Sequence, residues 1–259
     1  MKGLLVSSSK FAKFMFAAVV FCAALTTNLN NLRAEGSEFL GEAEVALEAG
    51  TSVLYAAVGM GEGIENATVN VEVPVGSEVK QVFAYWIVRS VYENGTLGFP
   101  TVGDNTALIE GVEYTGELIG GPVQYVSKRG FDFQVSTFRV DISDLGLVGP
   151  AAGNYSINVG GIDGYTIIDP ATGEGEGGAD GFGIAVVLDD GSYADVLLND
   201  GCDYAFKYST AEPLRDSTAP VEYTFEATNE DRIAKLGVLV GDPGVDRGSR
   251  IFVHVDGHR

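Results

Sequence analysis

Apolar and polar positions alternate, or run together, in short stretches along the whole chain. The run Phe182 to Leu188 is apolar at consecutive positions and ends at Asp189-Asp190-Gly191; a second run, Tyr193 to Leu198, ends at Asn199-Asp200-Gly201. Two short runs punctuated by Asp-Gly turns predict a hairpin, and consecutive apolar positions predict a strand buried on both faces. Val79 to Val88 is apolar on both faces from Val82 onward and carries the only tryptophan, Trp86, which predicts a second central strand. Ala67 to Val75 alternates, with Val69, Val71, Val73 and Val75 against Thr68, Asn70, Glu72 and Pro74. Proline cannot donate to a ladder, so Pro74 marks an edge strand or its end. Asn154 to Val159 alternates in the same way, and Phe131 to Ile142 is a firm strand. Further strands are expected at Thr51 to Met60, Thr106 to Ile109, Val112 to Leu118, Val221 to Thr228 and Arg250 to Asp256. Val221, Tyr223, Phe225 and Ala227 are expected to face inward, and Leu236 to Val240 to form a third central strand. Glu35 to Glu48 fits a short helix or an imperfect alternation, so residues 35–50 stay an ambiguous lead-in.

Roughly ten strands with turns at regular spacing predict an all-β fold: a two-sheet antiparallel sandwich, of jelly-roll or Greek-key type. An immunoglobulin arrangement is disfavoured because no Cys…Trp…Cys spacing is present. No fixed-period repeat is visible, which argues against a propeller or solenoid. Residues 35–259 are expected to form one domain.

The first 34 residues read as an export signal. Lys2, Lys10 and Lys13 precede a short apolar core, Phe14 to Leu25, and Leu32-Arg33-Ala34 ends in the small residue that cleavage requires. Ala24 is an alternative cleavage position. Phe21 precedes Cys22 where a lipoprotein signal wants a small residue, which argues against lipidation. No other stretch reaches spanning length, so no transmembrane segment is expected in the mature chain. Cleavage would remove four basic residues and no acid, moving the formal charge from −20 to about −24. Such a field repels nucleic acid and anionic lipid, keeps a protein soluble and concentrates cations nearby. Cys202 then has no internal disulfide partner; a small buried residue beside a turn is the favoured reading, with an intermolecular bridge as the alternative.

Several segments together resemble a family of uncharacterised secreted microbial surface (adhesin-like) β-sandwich domains. Val71-Glu72-Val73-Pro74-Val75-Gly76 followed by Ala84-Tyr85-Trp86 is similar to its valine-proline, glycine and aromatic segment. Phe138-Arg139-Val140-Asp141-Ile142-Ser143, Gly153-Asn154-Tyr155-Ser156-Ile157 and Gly181-Phe182-Gly183-Ile184-Ala185-Val186-Val187-Leu188 are similar to three of its strands. Gly241-Asp242 and Val255-Asp256-Gly257 fit its closing loop and strand, so the likeness spans about Thr51 to Gly257. Phe182 stands where tryptophan is usual, and Phe83 where a small residue is. The resemblance implies a bacterial or archaeal surface or matrix module without assigned chemistry. Members of that family continue beyond this point, which leaves room for a C-terminal continuation here.

The catalytic inventory is thin. The two histidines, His254 and His258, lie on the polar side of the last expected strand and in the tail. No nucleophile elbow, metalloprotease helix or phosphate loop is present. Paired carboxylates such as Asp189-Asp190 and Glu230-Asp231 are expected by chance among 36 acids, so no enzyme is expected. Hard cations want several oxygens on a flexible, glycine-containing loop. Asp163, Asp169, Glu174, Glu176 and Asp180 share one such loop, and Asp242 and Asp246 another. These seven are the candidate ligands for a structural Ca2+, although plain solvated turns are the favoured reading. Tyr92, Phe99, Tyr114, Tyr125 and Tyr165 either fill a β core or form a platform that stacks on sugars. The expected function is therefore a secreted, non-enzymatic cell-surface, adhesive or matrix-structural module whose partners are other surface proteins or glycans. The alternative is a carbohydrate-binding module, with or without calcium.

Overall fold

The computed structural model describes residues 40–43, 52–61, 64–93, 103–128, 131–163, 178–192, 194, 196–205, 218–225, 233–241 and 250–255. All of them belong to the unit Glu35–Arg259. The strands in chain order are β1 (Gly41–Glu42), β2 (Ser52–Gly59), β3 (Asn66–Val73), β4 (Glu78–Glu93), β5 (Thr106–Ile109), β6 (Val112–Thr115), β7 (Glu117–Lys128), β8 (Phe131–Asp141), β9 (Gly153–Gly160), β10 (Gly178–Asp189) and β11 (Asn199–Asp200). Among the described residues one 3-10 turn, Ser143–Leu145, follows β8. Among the described residues no helix is long and apolar enough to cross a membrane.

One sheet has the order β2-β10-β4-β8-β7 and the other β3-β9-β5-β6; β1 and β11 form a small separate pair. Every ladder is antiparallel, and the pairing is nested. Inside the short β1–β11 pair, β2 pairs with β10, then β3 with β9, then β4 with β8, and finally the adjacent strands β5 and β6. Nesting explains why the sequence alternates cleanly in some strands and not in others. β3 and β9 form one side of the four-stranded sheet, with valines and isoleucines inward and Asn, Thr, Ser and Glu outward. β4 and β10 lie inside the five-stranded sheet, as their consecutive apolar residues predict.

The core sits between the sheets. Val82, Ala84, Trp86 and Val88 of β4 and Phe182, Ile184, Val186 and Leu188 of β10 face Val69, Val71, Val73, Ile157, Val159, Ala107 and Ile109. Trp86 is its centre: its ring stacks on Phe138 at 5.8 Å and on Phe182 at 6.1 Å, the latter pair within 4° of parallel. Its Nε1 donates to the Asp104 carbonyl at 3.3 Å. The Asp104 carboxylate is itself held by the Thr106 amide and hydroxyl, which fixes that acceptor in place. Gly116 closes the pocket; a Cβ there would lie 2.3 Å from the indole.

The opposite face of the five-stranded sheet is also covered. Phe83, Tyr85, Ala185 and Val187 are buried there with Leu239 packed on them. Gly183 lies beneath the Leu239 side chain, Gly237 against the Tyr55 ring and Gly241 against Ile87. Residues 233–241 thus run over this face through side-chain contacts.

Four expectations change here. The hairpin between Phe182–Leu188 and Tyr193–Leu198 does not form, because β2 and β4 take both edges of β10 and residues 196–198 lie outside any strand. The Asp189-Asp190-Gly191 turn does exist, with Gly191 in the left-handed region and the Asp189 carboxylate accepting its N–H. Leu236 to Val240 is no central strand: Leu236, Val238 and Val240 are exposed and the segment carries no ladder. Tyr223 and Phe225 likewise face solvent rather than a core, and of Arg250 to Val255 only Val255 makes a bridge. A consecutive apolar run serves equally to fill a sheet or to lie across one, and here it lies across.

Candidate functional site

Two arrangements of polar side chains stand out. The first is on the covered face of the five-stranded sheet. Tyr85 of β4 is in register with Arg139 of β8, and Arg139 with Glu117 of β7. Three adjacent strands therefore set a phenol, a guanidinium and a carboxylate in one row. Asp200 of β11 closes over it: Arg139 Nη1 donates to Asp200 Oδ2, and the Tyr85 hydroxyl donates to the same oxygen at 3.1 Å. Arg139 Nη2 reaches Glu117 Oε2 at 3.3 Å. Arg139 is only 3% exposed, so its charge is desolvated and needs these partners. Burial works against the guanidinium charge, but the hydrogen bond and charge of Asp200 outweigh it and hold Arg139 above its ordinary value. Burial, reinforced by the Asp200 charge, pushes the Tyr85 hydroxyl above the usual phenol range. Tyr55 is raised by burial, then by Tyr223 and Asp200, and Tyr223 by burial. Chemically the cluster is a tie. Its one guanidinium is engaged by two carboxylates, and it binds the 199–203 segment to the sheet.

Tyr55 and Tyr85 are expected to make the fold sensitive to alkali. The folded values of Tyr55 and Tyr85 lie above the unfolded value of 10.0, so their contribution to stability is complete below pH 10 and falls as pH rises further. Urea midpoints measured from neutral pH upward should stay level to about pH 10 and then drop, with tyrosinate absorbance appearing as the fold is lost. Full ionisation of all tyrosines in the folded state would contradict this.

The second arrangement is a shallow cleft of about 330 Å3 on the four-stranded sheet, lined by Asn66, Thr68, Leu108, Gly111, Asn158 and Gly160 among others. Thr68 Oγ1 donates to Asn158 Oδ1 at 3.0 Å, and Ser156 Oγ to Asn70 Oδ1 at 2.8 Å, giving a polar ladder along β3 and β9. Glu110 and Gly111, both at positive φ, turn β5 into β6. Left-handed backbone costs a glutamate on the order of 1 kcal/mol or more. The hydrogen bonds of Glu110 offset it: its N–H donates to the Asn158 carbonyl at 2.8 Å, and its carboxylate accepts the Asn158 N–H at 2.6 Å. Glu110 therefore caps β9 where β5 ends.

Among the described residues no group of three or more His, Cys, Asp or Glu is placed to hold a metal. Of the seven candidate ligands, Asp163 is exposed and its N–H donates to Asp104 Oδ2 at 3.1 Å. Asp180 is buried on β10 beside Arg89, with Nε 3.7 Å from its Oδ1, so a cation already faces it. Asp169, Glu174, Glu176, Asp242 and Asp246 lie outside the described residues. So do Phe99, Tyr165 and the side chains of Tyr92 and Tyr125, while Tyr114 packs against the core. Cys202 is buried against Val135, Phe133, Val91 and Val123, matching the reading of a small core residue beside a turn. Sequence reasoning missed Arg139. The available signal was a basic residue inside a strand of a chain poor in bases.

No protein-family model, no curated protein and no solved structure matches this chain.

Proposed function

We propose that the chain is an exported, non-enzymatic module of the cell surface or extracellular matrix, folded as a jelly roll. The nested pairing of β2 with β10, β3 with β9, β4 with β8 and β5 with β6 supports that topology, in which one long hairpin is wound over itself. The observation that carries the functional reading is the use made of buried charge. Arg139, Tyr85, Glu117 and Asp200 join three strands and a crossing segment, and Arg89 faces Asp180 across β4 and β10. Groups that would otherwise be candidates for chemistry act as cross-strand ties. The export-type N-terminus, the acidic surface and the motif resemblance of Thr51 to Gly257 point the same way.

Cell fractionation tests it: the chain should be recovered from the medium or the surface, without residues 1–34. Retention inside the cell, or turnover of a polysaccharide by the purified chain, would sink the proposal.

A carbohydrate-binding module is the second reading, favoured by the cleft that sets Asn66, Thr68 and Asn158 around the apolar Leu108. A glycan array, repeated with chelator, separates the two. Reproducible binding that Asn158→Ala removes supports the second reading, and its loss in chelator would assign calcium a part in it.

A further inference from the structure

The outer edge of β3 is open. Glu110 bonds both the N–H and the C=O of Asn158, so the Asn158 backbone faces β5. Thr68 pairs with Asn158 across the β3–β9 ladder, and its own N–H and C=O must then point the other way, off the sheet. By the two-residue period of a strand, those of Asn66, Asn70 and Glu72 do the same. Among the described residues no strand pairs with this edge. Its eight residues pair one-to-one with β9 without a bulge, so the edge is regular. Natural edges are blunted by charges, bulges or a covering segment. β3 carries one charge, Glu72, in a chain with 36 acids. Two exposed apolar residues flank it, Ile64 at one end (47% exposed) and Val75 at the other (95%).

We infer that this edge binds a second copy of the chain, β3 against β3, antiparallel about a twofold axis at Val69. The register is set by which groups face outward. Outward-pointing residues must oppose one another, and full overlap of the strand sets Asn66 opposite Glu72 of the other copy and Thr68 opposite its Asn70. No acid then faces an acid. Amide and hydroxyl groups meet across the new ladder as Thr68 meets Asn158, and Asn70 meets Ser156, across the existing one. At each end Ile64 comes beside Pro74 and Val75 of the other copy, covering the apolar residues that the single chain leaves exposed. The four-stranded sheet becomes continuous through both copies. The contact is small, hence weak in solution and effective where copies are displayed close together. It goes beyond the surface-module reading and does not depend on it.

Sedimentation velocity over a concentration series tests it. The wild-type chain should show a reversible monomer–dimer equilibrium. Asn66→Lys puts a cation opposite Glu72 twice per dimer and should tighten association by about two- to tenfold. Thr68→Lys/Asn70→Lys puts like charges opposite each other twice and should abolish it. All three positions are exposed, and a thermal melt verifies that each variant folds. A monomer at every concentration would overturn the inference. So would a dimer that the double variant leaves intact, or one that Asn66→Lys does not tighten.

Discussion

Replacing Trp86 with alanine should lower the unfolding free energy by about 3–5 kcal/mol, the largest effect expected of any single substitution in this core. The side chain is fully buried, stacks between Phe138 and Phe182, and supplies the N–H that satisfies the Asp104 carbonyl. Its removal leaves a cavity and an acceptor without its donor, and the site resists collapse because sheet backbone and the Gly116 segment wall it in. The same pocket is tested from outside by Gly116→Ala, whose Cβ would sit 2.3 Å from the far edge of the indole. A ring held by two stacking partners has little room to shift, so overpacking should cost about 1–3 kcal/mol. Trp86→Phe removes the ring atoms that the new methyl would meet. Gly116→Ala should therefore cost distinctly less in that background, a coupling that a double-mutant cycle from urea midpoints reads directly. Additive costs would show that Gly116 does not shape the tryptophan pocket.

Arg139→Met should cost about 3–5 kcal/mol, because it leaves Asp200 next to a buried sheet face without its cation. Asp200 would keep one hydrogen bond, from Tyr85, against the desolvation of a whole charge. Combining Arg139→Met with Asp200→Leu should recover much of the loss, since an apolar pair of similar size carries no uncompensated charge. A local readout separates loosening of the 199–203 segment from general destabilisation. Cys202 is a buried member of that segment, and its backbone abuts Gly120. In the single variant, thiol labelling of Cys202 should speed up under conditions where the core amides remain protected. A cost below about 1 kcal/mol with unchanged labelling would mean that the cluster is incidental to stability.

The parts of the fold that were legible in the sequence are those where one physical constraint dominates. Val82 to Val88 and Ile184 to Leu188 are apolar at successive positions because both faces of their sheet are covered. Pro74 reports the end of β3 and its place at the edge, because a residue without an N–H cannot continue a ladder. The failed hairpin shows the limit of a local signal. Asp189-Asp190-Gly191 encodes a turn but names no partner strand, and the partners of β10 lie far away in sequence, at Ser52–Gly59 and Glu78–Glu93. Ile233 to Val240 has the composition of an interior strand and the position of a cover, a distinction that depends on tertiary context. The Arg139 cluster was invisible for a similar reason. Its members, Tyr85, Glu117, Arg139 and Asp200, come from four strands, and no spacing along the chain brings them to notice.

The nested pairing has a consequence for how the molecule comes into being. Whether it leaves a ribosome or a translocation channel, a polypeptide delivered from its N-terminus presents β1 and then β2, yet their partners are β11 and β10. The first strand to arrive is thus the one that must wait longest. The local hairpins of β5 with β6 and of β7 with β8 can close promptly, whereas every outer layer depends on chain still to come. Interrupted delivery would strand the ribbon from Val53 to Val58 without a neighbour. Maturation of this architecture is therefore expected to be slow, and a holding chaperone should aid it more than rapid emergence would.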